Sequence, residues 1–223
     1  MANEKSFLNH TIFLVLDDLS RKRISAVSLL KEYKKGEYLV RQGEIWPHLF
    51  YILQGKVVAE KDSAEGRSLI AASFTTGEIF WGLGFFLEDA AMPAALKTTE
   101  DTRVVLWTRY DLLPLIHDSG RFSWELAKLA IQRMQQASEI LESMTFHPIA
   151  VRLARMLIDI SSSTSGHRIE RDLTLDEMAS RLGTTREMVC RLLYKFSDEG
   201  LIKITRTEFS IVDADNLLNR AQR

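Results

Sequence analysis

The segment at residues 174–193 carries the strongest local folding signal in this chain. It reads TLDEMASRLGTTREMVCRLL, and Thr174 and Glu177 form a capping box that predicts a helix beginning at the residue after Thr174. Gly183 is expected to end that helix, because glycine accepts the left-handed conformation that a sharp turn needs. Thr185 can cap a second helix. The segment therefore predicts two short amphipathic helices joined by a tight turn, which is a helix-turn-helix.

The apolar residues of both helices recur at helical spacing. They are Leu175, Met178, Ala179 and Leu182 in the first helix, and Met188, Val189, Leu192, Leu193 and Phe196 in the second. This pattern leaves Arg186, Glu187 and Arg191 on the outward face, near the start of the second helix. In a helix-turn-helix that end enters the major groove of DNA.

These three side chains suit the edges of base pairs. Arginine can donate two parallel hydrogen bonds to O6 and N7 of guanine, and glutamate can accept one from N4 of cytosine. Glu187 and Arg191 lie four residues apart and are expected to hold each other in place. The alternative is that all three only form a solvated helix face. Their place inside a capped helix-turn-helix favours base recognition by Arg186, Glu187 and Arg191.

A hairpin is predicted behind this motif. Gly200 is expected to end the second helix, and the alternating apolar residues of 201–205 and 208–212 predict two short strands joined at Arg206 and Thr207. Such a wing can bring basic side chains to the phosphates, which position a protein without specifying sequence. The full set of expected DNA-contacting residues is Arg186, Glu187, Arg191, Thr184, Thr185, Lys195, Lys203 and Arg206.

Composition limits the other classes of function. The 223 residues allow two modest domains. A net charge of −1 provides no bulk attraction to DNA. Affinity for DNA would therefore rest on a local basic face, which is present twice in a dimer. A single cysteine excludes an internal disulfide and a multi-cysteine metal site. The five histidines are scattered, and no catalytic constellation or metal site is evident, so an enzyme is not expected. We see no signal peptide or membrane span and expect a cytoplasmic protein.

The amino-terminal half follows a different pattern. Glycines at 36, 43, 55, 66 and 77 separate short strand-like runs, among them 49–53, 68–74 and 103–107. Evenly spaced short strands with glycine turns predict an antiparallel roll or barrel. The apolar stretches 12–16 and 24–30 are expected to form small helices that cover the sheet.

A long helix is predicted from about Phe122 to Met144, and Pro148 marks a hinge after it. One stripe has the 3,4 spacing of a coiled-coil seam. It consists of Ala127, Ala130, Met134, Ala137, Leu141 and Met144. The alternative is that the stripe packs on the chain's own roll. Because Leu126, Leu129 and Ile140 can serve the roll separately, a homodimer seam is favoured.

The order of these parts resembles the CRP/FNR family of bacterial transcription regulators over essentially the whole chain. The glycine-punctuated roll, Arg152-Leu-Ala-Arg and Thr184-Thr-Arg-Glu-Met-Val-Cys-Arg carry the resemblance. It implies an α+β fold with a cyclic-nucleotide-binding-like β-roll (jelly roll) at 1–120, a dimerisation helix and hinge at 121–147, and a winged helix-turn-helix at 148–223. It also implies a homodimer on an inverted repeat of double-stranded DNA, with TGTGA-type half-sites read by Arg186, Glu187 and Arg191, and contact with RNA polymerase.

The region where this family holds cyclic AMP departs from the cyclic-AMP pattern. Gly82 stands where the resemblance expects a glutamate for the ribose, and Met92-Pro93 stand where it expects the arginine and serine that hold the phosphate. Of the Thr-Ser pair expected on the long helix, only the serine of Ala137-Ser138 remains. A cyclic phosphate buried without a cation is costly, so we expect cyclic AMP to bind poorly. The candidate effector residues are Trp81, Gly82, Leu83, Gly84, Met92, Pro93, Met134, Ala137 and Ser138.

The signal that such a regulator would sense is left open. The aromatic residues Phe80, Trp81, Phe85 and Phe86 are compatible with an apolar effector or haem, or they simply fill the roll, which we favour. Cys190 beside Arg191 is either an inert, partly buried residue or a redox gate, since neighbouring arginines favour the thiolate that peroxide attacks. A small-molecule-binding module that acts through protein partners is the competing class of function. No cofactor follows from the sequence.

Overall fold

The computed structural model describes residues 5–63, 68–163, 168–170, 174–205 and 208–221. After a short 3-10 helix at Ser6–Asn9, the helices are α1 (Thr11–Leu14), α2 (Asp18–Ala26), α3 (Leu83–Phe86), α4 (Arg109–Asp118), α5 (Gly120–Phe146), α6 (Ile149–Ser163), α7 (Leu175–Leu182), α8 (Arg186–Asp198) and α9 (Ala214–Ala221). The strands are β1 (Leu29–Tyr33), β2 (Tyr38–Val40), β3 (His48–Gln54), β4 (Lys56–Asp62), β5 (Ser68–Thr75), β6 (Ile79–Trp81), β7 (Ala95–Thr98), β8 (Thr102–Thr108), β9 (Arg168–Glu170), β10 (Ile202–Ile204) and β11 (Glu208–Ile211).

Contacts divide the chain into two compact units. The first comprises Met1–Lys61 and Ala71–Gln136, and the second comprises Asp62–Ile70 and Ala137–Arg223. In the part of the chain that the structure describes, no helix is both long and apolar enough to cross a bilayer.

The predicted roll is confirmed as two four-stranded sheets. Their strand orders are β1-β8-β3-β6 and β2-β7-β4-β5. Apolar side chains of both sheets fill the roll, and Trp107 Nε1 donates a buried hydrogen bond of 2.9 Å to the carbonyl oxygen of Ile24. One turn shows why glycine punctuates the strands: Gly55 has a φ of +100°, and a Cβ there would lie 2.7 Å from the carbonyl oxygen of Asp101.

The helix predicted at 24–30 is wrong in its second half. Helix α2 ends at Ala26, and Leu29 and Leu30 begin strand β1, where they pair with Leu106 and Val105 of β8. The backbone of β8 supplies a hydrogen-bonding partner that an apolar run in the sequence does not reveal. The helix predicted at 12–16 is present as α1, which is shorter.

Helix α5 has 27 residues, slightly more than the predicted 122–144. Phe122 and Leu126 are buried in the core of the roll, and Leu129 packs against that core. The assignment of Ile140 to the same face is wrong, because this side chain is 39% exposed and lies outside that core. Helical spacing alone suggested that Ile140 faces the roll. The first unit ends at Gln136, so this part of α5 already belongs to the second unit.

The sequence reading missed a polar contact that fastens α5 to the roll. Arg133 Nη2 lies 3.0 Å from Glu78 Oε1 and donates a 3.2 Å hydrogen bond to the carbonyl oxygen of Ile79. Its guanidinium also lies 5.0 Å from the ring centroid of Phe74, a cation–π contact.

The second unit is built on one apolar core. Residues of α6, α7, α8, β10, β11 and α9 contribute buried side chains, including Leu153, Val189, Phe209 and Leu217. The predicted hairpin is confirmed as β10 and β11, which pair antiparallel from Ile202–Ile211 to Ile204–Phe209. The third strand of this sheet, β9, pairs with β11 and was not predicted.

Candidate nucleic-acid interface

The turn between α7 and α8 forms as its sequence predicts. The Thr174 hydroxyl accepts from the backbone N–H of Glu177 and the Glu177 carboxylate accepts from that of Thr174, so the capping box is complete. Gly183 has a φ of +60°, which glycine adopts without steric cost. Thr185 then caps α8 by accepting a 3.3 Å hydrogen bond from the N–H of Met188.

The two helices pack through the predicted apolar faces, except that Met188, which was expected in the buried face of the second helix, lies outside the shared core. Met178, Ala179 and Leu182 of α7 share a buried core with residues of α8. The residues of α8 in this core are Val189, Leu193 and Phe196, with Leu192 partly buried against it. A contact that the sequence did not indicate supports the turn: Arg152 Nη1 of α6 donates a 2.7 Å hydrogen bond to the carbonyl oxygen of Leu182, at the end of α7.

Arg186, Glu187 and Arg191 are exposed on the first half of α8, as expected. Arg186 Nη1 lies 3.1 Å from Asp176 Oδ2 on α7. The backbone N–H of Glu187 itself and the Thr185 hydroxyl hold the pKa of the Glu187 carboxyl below its usual range. The carboxylate is thus drawn to the amino end of α8.

The expected pairing of Glu187 with Arg191 is wrong for the part of the chain that the structure describes. Arg191 Nη2 instead donates to Met188 Sδ at 2.9 Å. The Arg191 guanidinium therefore contacts the residue three positions before it in α8, and not the one four positions before it. Glu187 and Arg191 therefore form no ion pair with each other in the described part of the chain.

The remaining candidates surround this face. Lys203 of β10 is exposed, and Lys195 Nζ lies 4.0 Å from Glu199 Oε1 near the end of α8. Thr185 is exposed, whereas Thr184 and Cys190 are partly buried. Arg206 lies outside the described residues.

In the first unit, the candidate effector residues surround a closely packed backbone. The N–H of Gly82 donates a 3.0 Å hydrogen bond to the carbonyl oxygen of His48. A Cβ at Gly82 would overlap the carbonyl oxygen of Trp46, so this backbone leaves no room for a glutamate. Gly84 and Met92 are buried, whereas Leu83 and Pro93 are exposed.

The aromatic side chains of this region contact one another. The ring centroids of Phe74 and Phe80 are 4.3 Å apart, those of Phe80 and Trp81 are 5.9 Å apart, and those of Trp81 and Phe86 are 5.6 Å apart. Such spacings are those of packed aromatic pairs, so these rings fill space in and beside the roll.

The candidate seam of α5 is mostly open to solvent in the single chain. Met134 and Leu141 are 71% and 67% exposed, Ala127, Ala137 and Ser138 are also exposed, and Ala130 and Met144 are partly buried. Ile131, which the predicted seam did not include, is 56% exposed. Its spacing from Ala127 and Met134 is again 4 and 3, which would have identified it in the sequence.

A Gly82→Ala substitution is expected to destabilise the roll by about 1–3 kcal/mol, because the added methyl group meets the Trp46 carbonyl. The four tryptophans lie at 46, 81, 107 and 124, so urea unfolding followed by tryptophan fluorescence reports on the first unit. Gly120→Ala is the matched control, since a Cβ there has no atom within 4 Å. Equal unfolding midpoints for the two variants would contradict the steric explanation.

Two family patterns match the chain in the order of its domains. The cyclic nucleotide-binding domain matches residues 30–119, and the Crp-like helix-turn-helix domain matches residues 151–220. The first match falls on the roll and the second on the unit that contains α7 and α8.

Relatives and solved structures agree with this assignment. The CRP-like cAMP-activated global transcriptional regulator of Mycobacterium tuberculosis is 24% identical over 196 residues, which are 86% of this chain and 87% of that protein. The cyclic AMP receptor protein of Thermus thermophilus is 26% identical over 172 residues, which are 77% of this chain and 78% of that protein. A solved crp/fnr family protein from Eubacterium rectale has a TM-score of 0.81 at 20% identity and covers 96% of this chain and 98% of its own. The c-di-GMP responsive global regulator CLP of Xanthomonas campestris has a TM-score of 0.77 at 21% identity and covers 87% of this chain and 99% of its own.

The structural likeness, at these identities, establishes the fold, and the two matched patterns and the relatives establish the family. This chain belongs to the CRP/FNR family of transcription regulators and carries the family's helix-turn-helix DNA-binding domain.

Proposed function

We propose that the chain acts as a homodimer that reads an inverted repeat of TGTGA-type half-sites through Arg186, Glu187 and Arg191. The observation that carries this proposal is their joint exposure on the first half of α8, directly after the capped turn. Two guanidinium groups and one carboxylate there match the acceptors of guanine and the amine of cytosine.

The ion pair of Arg186 with Asp176 does not prevent base contact. Both side chains are more than half exposed, and an exposed pair of this kind contributes about 0–1 kcal/mol. A bidentate contact with guanine is worth about 1–3 kcal/mol, so the guanidinium gains by leaving Asp176 for DNA.

The dimer would form along α5. Met134, Leu141 and Ile131 expose large apolar side chains at coiled-coil spacing, while Phe122 and Leu126 on another face of the helix are already used by the roll. The uncovered stripe fits a second copy of the same helix, and a two-fold dimer explains an inverted-repeat target.

The experiment that tests DNA reading is a gel shift with the full chain. One duplex carries a TGTGA-type inverted repeat, and a second has the same composition in scrambled order. We expect a preference of about 10³-fold or more for the repeat at physiological salt. Equal affinity for both duplexes would leave α8 without a role in sequence reading.

We propose further that the effector is not cyclic AMP. Gly82 has no room for a ribose-binding carboxylate, and Met92 belongs to the apolar core of the roll. Arg133, the guanidinium that α5 brings to the roll, is already paired with Glu78. Among similar proteins the Mycobacterium regulator is described as cAMP-activated and the Xanthomonas regulator as c-di-GMP responsive, so the signal differs within this fold.

Calorimetric titration of the full chain with cyclic AMP is expected to give no binding tighter than about 1 mM, since a buried phosphate without a free cation is costly. The same samples are then used in the gel shift, where cyclic AMP should leave the affinity for the repeat unchanged. Micromolar binding together with tighter DNA binding would contradict the proposal.

A further inference from the structure

A cleft of about 420 Å³ lies within the second unit, and neither the DNA-contacting face nor the candidate effector residues account for it. Its walls come from the end of α5, from α6 and from α7. Ile140, Met144 and Met156 form an apolar part, and Arg152, Arg155 and Arg181 bring three guanidinium groups to the same space. The volume is in the range that holds a small organic ligand.

The charge of this cleft is unbalanced. Among the described lining residues, Asp159 is the one carboxylate beside three arginines. Arg152 and Arg181 are partly buried, and a desolvated cation is costly unless it is paired, so this partly apolar space favours an added negative charge.

Two of the guanidinium groups have unused donors. The Nε atoms of Arg152 and Arg181 are buried and have no hydrogen-bond partner among the described residues. Burial lowers the pKa of both arginines, and for Arg181 the Glu177 carboxylate opposes this shift. Arg155 Nη1 lies 3.4 Å from His147 Nδ1. The Arg155 side chain is exposed and is therefore accessible to a ligand.

We propose that this cleft binds a small amphipathic anion, whose carboxylate or phosphate head group contacts Arg155 and Arg181 and whose apolar body lies against Ile140 and Met156. Because α5 and α7 both contribute to the walls, such a ligand would connect the end of the dimer helix to the first helix of the DNA-reading motif. An effect of this ligand on DNA binding rests on the function proposed above. Binding of the anion in the cleft does not depend on that function.

The binding test uses 1-naphthyl phosphate and 1-naphthoate as probes, in calorimetric titrations of the full chain without DNA. The two head groups distinguish a phosphate site from a carboxylate site. 1-Naphthol has the same apolar body without the charge, and inorganic phosphate has the charge without the body. We expect at least one naphthyl anion to bind about tenfold or more tightly than either control. Failure of both anions to bind, or equal binding by 1-naphthol, would overturn the proposal.

Substitutions then place the probe in the cleft. Arg155→Gln and Arg181→Gln should each weaken its binding by about tenfold, since each removes a charged donor. Ser143→Trp should block the cleft from the side of α5. Arg121→Gln, on an exposed part of α5 outside the cleft, is the matched control and should bind as the unchanged chain does. Binding that survives all three cleft substitutions would place the ligand elsewhere and refute the assignment.

A further variant separates this proposal from the one on DNA. Arg186→Ala should lose sequence-specific DNA binding and keep its affinity for the naphthyl anion, because Arg186 does not line the cleft. Circular dichroism on each variant shows whether the fold is retained, and the Arg155 variant, altered at an exposed position, keeps the test decisive if Arg181→Gln does not fold.

Discussion

Arg186→Ala and Arg191→Ala should each strongly reduce the preference for a TGTGA-type inverted repeat over a scrambled duplex. Each substitution removes a bidentate guanine contact worth about 1–3 kcal/mol, and a dimer loses it twice. The expected loss is therefore about 2–6 kcal/mol, or roughly 30-fold to 10⁴-fold in relative affinity. Competition gel shifts with the two duplexes measure this ratio directly.

Two control variants show whether the loss is specific. Lys203→Ala removes an exposed cation of the wing that is expected to contact phosphates. The variant should bind both duplexes about equally more weakly, and its affinity for DNA should depend less on salt concentration. Asp176→Ala removes the partner of Arg186 but keeps the guanidinium, so discrimination should be retained. If the Arg186 and Arg191 variants keep the discrimination of the unchanged chain, α8 is not the recognition helix.

Met134→Glu should shift the protein from dimer to monomer. Two carboxylates would face each other in an apolar seam, at a cost of at least about 3 kcal/mol, so the dimer dissociation constant should rise roughly a hundredfold or more. Sedimentation velocity across a dilution series measures the change. Affinity for the inverted repeat should fall with it, because a monomer contacts one half-site.

Gln132→Glu is the matched control for this prediction. It adds the same charge two residues earlier, on an exposed flank of α5 away from Met134, and should leave the dimer intact. A Met134→Glu variant that sediments as a dimer would remove this stripe of α5 from the interface.

Local signals made the helix-turn-helix readable from the sequence. A capping box at Thr174, a left-handed glycine at Gly183 and a second cap at Thr185 act over three or four residues, and the structure contains each of them. The exposure of Arg186 and Arg191 followed from helical periodicity alone. Their hydrogen-bond partners did not, since a long side chain chooses among neighbours that only the folded chain brings near.

Contacts between distant segments decided the rest. Leu29 and Leu30 form a strand because they pair with the backbone of β8. In the same way, β9 is a strand because it pairs with β11. The sequence shows a glycine at position 82, where the family resemblance expects a glutamate. Only the fold shows that the Trp46 carbonyl occupies the space that a Cβ at position 82 would need.

The amino-acid sequence by itself determined the order of roll, long helix and helix-turn-helix, because caps, glycine turns and apolar periodicity act along the chain. The tertiary structure alone decided which charged groups meet. Arg133 reaches Glu78 across 55 residues, and Arg152 reaches the Leu182 carbonyl across 30. Such pairings depend on distances that the sequence does not contain, and the fold also gathers Arg155 and Arg181 around one cleft.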